Sequence, residues 1–187
     1  MSGARAAARP ARAAGRAAVA VSDALDRVAE VAAVAALVVL VAAVMTQVVA
    51  RYVLFSPPTW TEELARYAMI WAGLLGATLS FKRRFDPALF EGGAGMGTLR
   101  AAAAGALQSV VVLIYLAPIL WHCVYGPGMN PARGFLVRHG RTTAESMDFS
   151  TLWVAVAVPT MVLLVLVHLV ARWFGDARPP RPEGDAA

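Results

Sequence analysis

Cysteine occurs once in these 187 residues, at Cys123, so the chain can build neither an internal disulfide nor a thiolate metal site. Charged side chains are scarce too. They make up 16% of the sequence, against about a quarter in soluble domains, too little polar surface to cover a water-exposed globule. The motifs of several enzyme classes are missing: there is no Gly-rich phosphate loop, no nucleophile elbow and no His-Glu-x-x-His. No acidic residue lies deep inside any apolar run, so an ion or proton relay made by this chain alone lacks its usual parts. The three histidines are dispersed. His122 ends one run and His168 ends another at the opposite membrane face, too far apart to share an iron, while His139 belongs to a loop; all three read as interfacial histidines. No catalytic, cofactor-binding or metal-binding residue is identified.

What the sequence has in abundance is apolar length. Hydrophobic residues form 59% of it, and the mean hydropathy is +0.60. About 20 apolar residues span a hydrocarbon core, since a helix rises about 1.5 Å per residue and the core is about 30 Å thick. Four runs meet that length: Val31 to Ala50, Leu64 to Phe81 with only Arg66 charged, Ala101 to Leu120, and Thr151 to Val170. Inside a bilayer each segment must satisfy its own backbone hydrogen bonds, so all four are expected to be helices. The fold class is therefore an all-α membrane protein with four transmembrane helices, over about 31–50, 62–82, 99–120 and 151–171. Together they form one membrane domain over 22–174.

Orientation follows from the basic residues, which are 16 arginines and one lysine. Four spans put the N-terminus, the middle loop and the C-terminus on one side. Arg5, Arg9, Arg12, Arg16, Arg27, Lys82, Arg83, Arg84, Arg100, Arg172, Arg178 and Arg181 fall there, twelve in all. Only Arg51, Arg66, Arg133, Arg138 and Arg141 fall on the other. Short basic loops stay cytoplasmic, which predicts N-in/C-in. The net charge of +5 then reflects loop bias, with attraction to anionic headgroups as a secondary effect, and needs no nucleic-acid partner.

Residues 1–21 are Arg- and Ala-rich. A cleaved signal is disfavoured, because the apolar run that follows exceeds the 7–15 residues of a signal core. The expectation is a disordered basic tail over 1–21, then a short interfacial helix capped by Ser22 with Asp23 and Asp26 in its first turn. Pro179-Pro180-Arg181-Pro182 ends the last helix and leaves 175–187 as a second disordered tail.

The first outer turn carries the most chemistry. Pro57-Pro58 stops the first helix, and Thr59 with Glu62 fits a capping box for the second. Glu62 and Glu63 sit at the positive end of that helix, with Arg66 at i+4 and i+3 from them and able to pair with either. Tyr52, Trp60, Tyr67 and Trp71 surround these charges. Read from the residues alone, the group is either an interfacial belt of aromatics and charges or a contact site. Ala72, Gly76 and Ser80, and likewise Ala101, Gly105 and Ser109, share helix ridges that suit close packing, and Gln47 and Gln108 suit bonds across helices.

From about Leu25 to Arg84 the chain resembles the small membrane subunit of tripartite ATP-independent periplasmic (TRAP) transporters, the DctQ-like family. The residues carrying the likeness are Leu25-Asp26-Arg27, Gln47-Val48-Val49-Ala50-Arg51-Tyr52-Val53, Ser56-Pro57, Trp60-Thr61-Glu62-Glu63-Leu64-Ala65-Arg66-Tyr67, Trp71, Leu75-Gly76-Ala77 and Phe81-Lys82-Arg83. Trp153 and Pro159 in the last span fit the same pattern. Phe85-Asp86-Pro87-Ala88-Leu89-Phe90-Glu91 departs from the Gly/His-containing stretch usual there. The resemblance implies a bacterial inner-membrane, multi-pass, non-enzymatic subunit that scaffolds a separate large membrane subunit. It also implies help in docking a periplasmic substrate-binding protein for sodium-coupled organic-acid uptake, with substrate and sodium held by the large subunit and no cofactor in this chain. Arg51, Tyr52, Trp60, Glu62, Glu63, Arg66, Tyr67, Trp71 and Gly76 become the candidate partner-interface residues. Two other classes remain open to these residues: a four-helix anchor subunit of a redox or other membrane complex, and a small independent exporter or channel.

Overall fold

The computed structural model describes residues 2–83 and 98–174, with the side chains of 2–13 and 98–102 left aside. The inner-loop stretch Phe85 to Glu91 and the tail containing Pro179 to Pro182 lie outside the described residues. Long helices cover the four apolar runs: α1 (Ser2–Tyr52), α2 (Trp60–Arg83), α3 (Thr98–Val124) and a last pair, α5 (Leu152–Ala155) and α6 (Ala157–Trp173), with the short α4 (Phe135–Gly140) between α3 and α5. Among the described residues four helical segments are long and apolar enough to cross a membrane. Pro159 explains the step between α5 and α6. It has no N–H to offer the carbonyl of Ala155, so the ladder breaks there and resumes within the same span.

α1 differs from its expected form. Its backbone is helical from Ser2, through the stretch expected to be an unstructured tail. Ala and Arg rank among the strongest helix formers, which favours extending the helix backward, against about 3 kcal/mol for Pro10 in its interior. Ser22 is accordingly not a cap. It lies in mid-helix, fully buried, with its hydroxyl 2.8 Å from His168 Nδ1 on α6. At 51 residues, α1 would measure about 75 Å, far beyond one hydrocarbon core.

The buried face of α1 follows a seven-residue repeat. Gly15, Ser22, Ala29, Ala36, Ala43 and Ala50 recur at one position, and Asp26, Ala33, Leu40 and Gln47 at a second, while the positions between Val31 and Val49 outside this seam are exposed. Alternating steps of four and three keep one stripe facing its neighbours along a left-handed supercoil. Most side chains in it are small, Asp26, Leu40 and Gln47 excepted, which lets helix backbones approach in a medium that offers no hydrophobic drive between helices. Against this seam pack α2 and α6. The ridges expected on α2 and α3 behave otherwise: a methyl group added at Gly73, Gly76 or Gly105 would meet no atom within 4 Å. Close approach inside this chain is therefore the work of α1.

α6 is the central element, touching α1, α2 and α3, with Val162 and Ala171 fully buried. α3 packs on α6 through Leu116 and Ile119 against Val162, Val165 and Leu166. The remaining apolar surface of α1 and α3, including Val31, Val38, Ile114 and Tyr115, is exposed, as expected of helices that face lipid or partner helices.

The bundle has two dissimilar ends. At one, α1 and α3 begin and α2 and α6 finish; we term it the clasp end. At the other, the α1–α2 turn sits beside the 125–151 segment, the cap. The cap is compact. A bridge joins Gly126 to Asn130 and another joins Thr143 to Ser150. Asn130 caps a 3-10 turn over Pro131–Arg133 by accepting from the Ala132 N–H at 2.9 Å. Glycine is required at two points, since a Cβ at Gly126 would lie 2.2 Å from the Arg133 carbonyl oxygen and one at Gly134 2.2 Å from that of Val124.

Candidate functional site

The start of α2 gathers part of the candidate set, although not as the spacing suggested. Thr61, not Thr59, carries the hydroxyl contacts at the helix start. Its side chain is fully buried and donates to the Pro58 carbonyl at 2.8 Å, with Gln47 Oε1 on α1 at 3.3 Å. α1 ends at Tyr52, short of Pro57-Pro58: Phe55 takes a left-handed φ of 54°, at a cost of about 1–2 kcal/mol for a bulky residue, and the Ser56 N–H turns back to the Ala50 carbonyl at 3.0 Å. Arg51 and Tyr52 at the end of α1 and Trp60 at the start of α2 are exposed.

Glu62, Glu63 and Arg66 separate into two unrelated arrangements. Arg66 meets Glu62 at 3.6 Å, with side chains 57% and 69% exposed. Glu63 does not pair with Arg66. It is buried and faces the cap, where one carboxylate oxygen accepts the Glu145 N–H at 3.0 Å and the other accepts the Ser146 N–H at 2.8 Å. The hydroxyls of Ser146 and Tyr67 donate to the same carboxylate. A carboxylate that receives several donors is stabilised in its charged form without any cation beside it. The physical reason for the partition is the helix itself. Glu62 and Arg66 are one turn apart on the outward face, whereas Glu63 is rotated toward α5 and the cap.

Aromatic packing continues from this point. Tyr67 lies edge-on to Trp153 with centroids 5.9 Å apart and meets Phe149 at 6.2 Å, and Trp153 stacks on Trp71 at 6.3 Å. Tyr67, Ala144 and Val154 form a buried cluster joined by Ile70, Met147 and Phe149. Of the candidate set the structure thus brings together Glu63, Tyr67 and Trp71. It leaves Arg51, Tyr52, Trp60, Glu62 and Arg66 on the surface and Gly76 half-buried beside open space. Ser146, Glu145 and Phe149, the partners of this group, were not among the candidates. Their contribution is chiefly backbone N–H and ring packing, which leaves little trace in a sequence.

A second constellation, at the clasp end, also escaped the sequence reading. Lys82 Nζ contacts Asp23 at 2.8 Å, and Arg83 reaches Glu30 at 2.6 Å and Asp26 at 3.3 Å. Lys82 is nearly inaccessible, its side chain 2% exposed. The signal was available: Asp23, Asp26 and Glu30 step by three and four along one helix face, and an antiparallel hairpin brings that face to the end of α2. Arg172 spans three elements here, donating to the Phe81 carbonyl and to Gln108 Oε1, each at 3.1 Å, with its guanidinium 4.6 Å from the Phe81 ring centroid. Trp173 Nε1 donates to Ser109 Oγ at 3.0 Å. The expected cross-helix bonds of Gln47 and Gln108 are therefore present.

These polar groups hold helices to one another rather than lining a passage. Among the described residues no three His, Cys, Asp or Glu side chains converge as metal ligands. A concavity of about 260 Å³ among the described residues is an apolar groove between α3 and α6 lined by Leu113, Leu116, Leu120, Trp121 and Leu166 among others. Compared with known families, residues 40–178 match the family described as tripartite ATP-independent periplasmic transporters, DctQ component. No curated protein matches the chain.

Proposed function

From its membership of the DctQ component family of tripartite ATP-independent periplasmic transporters, which makes the chain a transporter subunit rather than an enzyme, we propose a specific role. It is the small permease subunit that scaffolds a separate large membrane subunit and helps dock the periplasmic binding protein during sodium-coupled uptake of an organic acid. The clasp end faces the cytoplasm of a bacterium and the cap end the periplasm, in line with twelve basic residues on one side of the spans and five on the other. The large subunit carries the substrate and sodium sites.

The observation that carries this reading is the match over 40–178, and the geometry agrees with it. The described polar clusters are spent on fixing helix positions, as a scaffold requires, and the outer faces of α1 and α3 remain apolar and uncovered. The anchor-subunit alternative finds no comparable support. His168 is committed to Ser22 at the clasp end and His122 lies exposed at the cap end, so these two do not form an axial pair.

Co-expression with a large membrane subunit of the same transporter tests the proposal. The two should co-purify, and proteoliposomes containing both should accumulate an organic acid on a sodium gradient only when the binding protein is supplied. Reporter fusions at the N-terminus and near Asp86 should report cytoplasm, and one near Arg138 periplasm. Sodium-driven uptake by this chain alone, or a cytoplasmic signal from the cap, would overturn the reading.

A further inference from the structure

The apolar groove between α3 and α6 occupies one half of a span. It runs from Leu113 to Tyr125, a length of about 18 Å along a helix. The membrane-crossing part of α3 is Ala103–Val124, so Leu113 stands near its middle and Tyr125 at its cap end. Half of a hydrocarbon core is about 15 Å. Leu113, Ala117, Trp121 and Tyr125 follow one another at four-residue steps along one ridge of α3, and Ala117 is the notch in that ridge. Leu116, 5% exposed, and Leu166 of α6 stand beside it. At the mouth Trp121 and Tyr125 pack with ring centroids 4.5 Å apart, and aromatic rings of this kind favour the headgroup level of a bilayer.

A cation stands at the same mouth. A Cβ at Gly126 would lie 2.6 Å from Arg133 Cβ, and one at Gly134 2.2 Å from the carbonyl oxygen of Val124, a lining residue. Arg133 therefore springs from beside the end of the groove. It is exposed and makes no ion pair among the described residues. The exposed carboxylates of the cap belong to the α2 side: the Glu145 N–H sits on Glu63, and Asp148 precedes Phe149, which packs on Tyr67. α3 packs chiefly on α6 and α4.

We propose that this groove binds one phospholipid of the cap-side leaflet, with an acyl chain along α3 from Tyr125 to Leu113 and the phosphate on Arg133. Length selects the occupant. A partner helix crosses both leaflets and calls for a groove about twice as long, whereas an acyl chain ends near the midplane, as this groove does. Charge selects the other end, because a guanidinium without a carboxylate offers paired N–H donors that match phosphate oxygens. The acyl chain alone gains little by leaving its neighbours, since lipid tails are as apolar as the leucines of the groove. Selectivity therefore comes from the phosphate contact and from the Ala117 notch, which lets the chain lie against the helix. Seated there, the lipid fills the gap between α3 and α6 and steadies α3 on the bundle.

The test uses the full-length chain, delipidated in detergent and titrated with phosphatidylglycerol brominated at mid-chain. Native mass spectrometry counts the retained lipid, and quenching of tryptophan fluorescence reports its contact. The parent should hold one lipid, with quenching that Trp121→Phe largely removes. Arg133→Gln keeps the Cβ beside Gly126 and should weaken retention about tenfold, the worth of one charge-assisted hydrogen bond. Hydrogen exchange over 125–151 should stay as in the parent, showing that the cap is intact. Ala117→Trp fills the notch and should abolish the one-lipid adduct, and Arg133→Gln, outside the span, serves if that variant fails to insert. Ile114→Trp, at a position 69% exposed and not lining the groove, should keep the adduct. Equal retention in all variants would mean annular lipid only and would overturn the site. Brominated diacylglycerol held as tightly as phosphatidylglycerol would remove the phosphate from recognition and overturn the role of Arg133. Loss of adduct and quenching on co-purification with a large membrane subunit would give the groove to a partner helix. Their loss on dimerisation of the chain would give it to a second copy, and either result would sink the lipid site.

Discussion

The clasp end and the cap end both secure helices where they leave the apolar slab, and they use opposite chemistry. At the clasp end, carboxylates on α1 meet an ammonium and a guanidinium on α2, so charge is neutralised by charge across a hairpin. At the cap end Glu63 is neutralised by hydrogen bonds from backbone and hydroxyls, and the nearest arginine turns away to Glu62. The difference is one of tolerance. An ion pair survives some shift of its partners because Coulomb attraction falls off slowly, which suits helices that must insert and then find each other. A carboxylate shared by two successive N–H groups holds only at one register, which fixes the cap against α2 in one place.

Lys82→Ala should produce the largest loss that sharpens this contrast. The lysine is buried and Asp23 is 29% exposed, so the cost should fall somewhat below that of a fully buried pair, about 2–4 kcal/mol. Denaturant titration in mixed micelles would measure it. Replacing both partners, Lys82→Met with Asp23→Leu, should recover part of the loss, because two well-packed apolar groups leave no stranded charge. A single variant as stable as the parent would mean that the clasp is decoration and that the seam of α1 alone aligns the hairpin.

The seam provides the next step down. Ala43 is 4% exposed on the small-residue stripe, and Ala42 beside it is exposed. Ala43→Leu should cost about 1–3 kcal/mol by overpacking, measured in the same titration, while Ala42→Leu should be neutral. Equal effects would show that the seven-residue repeat does not define the contact. At the cap, Gly134→Ala places a methyl 2.2 Å from the Val124 carbonyl oxygen, and the backbone must give way. The expected cost is again about 1–3 kcal/mol, confined to the cap: exchange should accelerate over 125–151 while helix content is kept.

How much of this was legible in the sequence depends on the length scale of each signal. The four apolar runs and the reach of Gln47 and Gln108 were readable because each depends on side chains within one element or on one long polar group in an apolar stretch, whereas the end of α1 falls at Tyr52, ahead of the Pro57-Pro58 stop. The family likeness from Leu25 to Arg84 falls largely inside the stretch that matches. The clasp was readable in principle, since Asp23, Asp26 and Glu30 share a face, but Asp23 and Asp26 were assigned to a helix start that does not exist at Ser22. The seam was masked by composition: in a helix made mostly of Ala and Val, small residues at every seventh position do not stand out. Glu63 was among the candidates, with Arg66 open as a partner to it or to Glu62, and only Glu62 takes it. A neighbour at i+3 is an obvious candidate for an ion pair, whereas backbone amides 82 and 83 residues away announce themselves in no sequence.

The smallest effect is the one that most sharpens the comparison between the two ends. Arg66 and Glu63 are three residues apart, and spacing alone makes them a pair whose disruption would strand a buried carboxylate. In the structure Arg66 contacts Glu62 across 3.6 Å with both side chains mostly in the open. Exposed pairs of this kind contribute at most about 1 kcal/mol, because solvent screens the attraction and ordering two long side chains costs entropy. Arg66→Ala should therefore change stability by less than about 1 kcal/mol, leave exchange at Glu145 and Ser146 unaltered and keep co-purification with the large subunit. Glu63→Gln, at the neighbouring position, should alter the exchange. If Arg66→Ala instead loosened the cap as Glu63→Gln does, the guanidinium would have to reach Glu63 in the membrane, and the cap end would be an ion-paired site of the same kind as the clasp. If Arg66→Ala abolished assembly with the cap intact, the exposed arginine would be a partner contact, and the role of the α2 start would shift from holding the cap to meeting the large subunit.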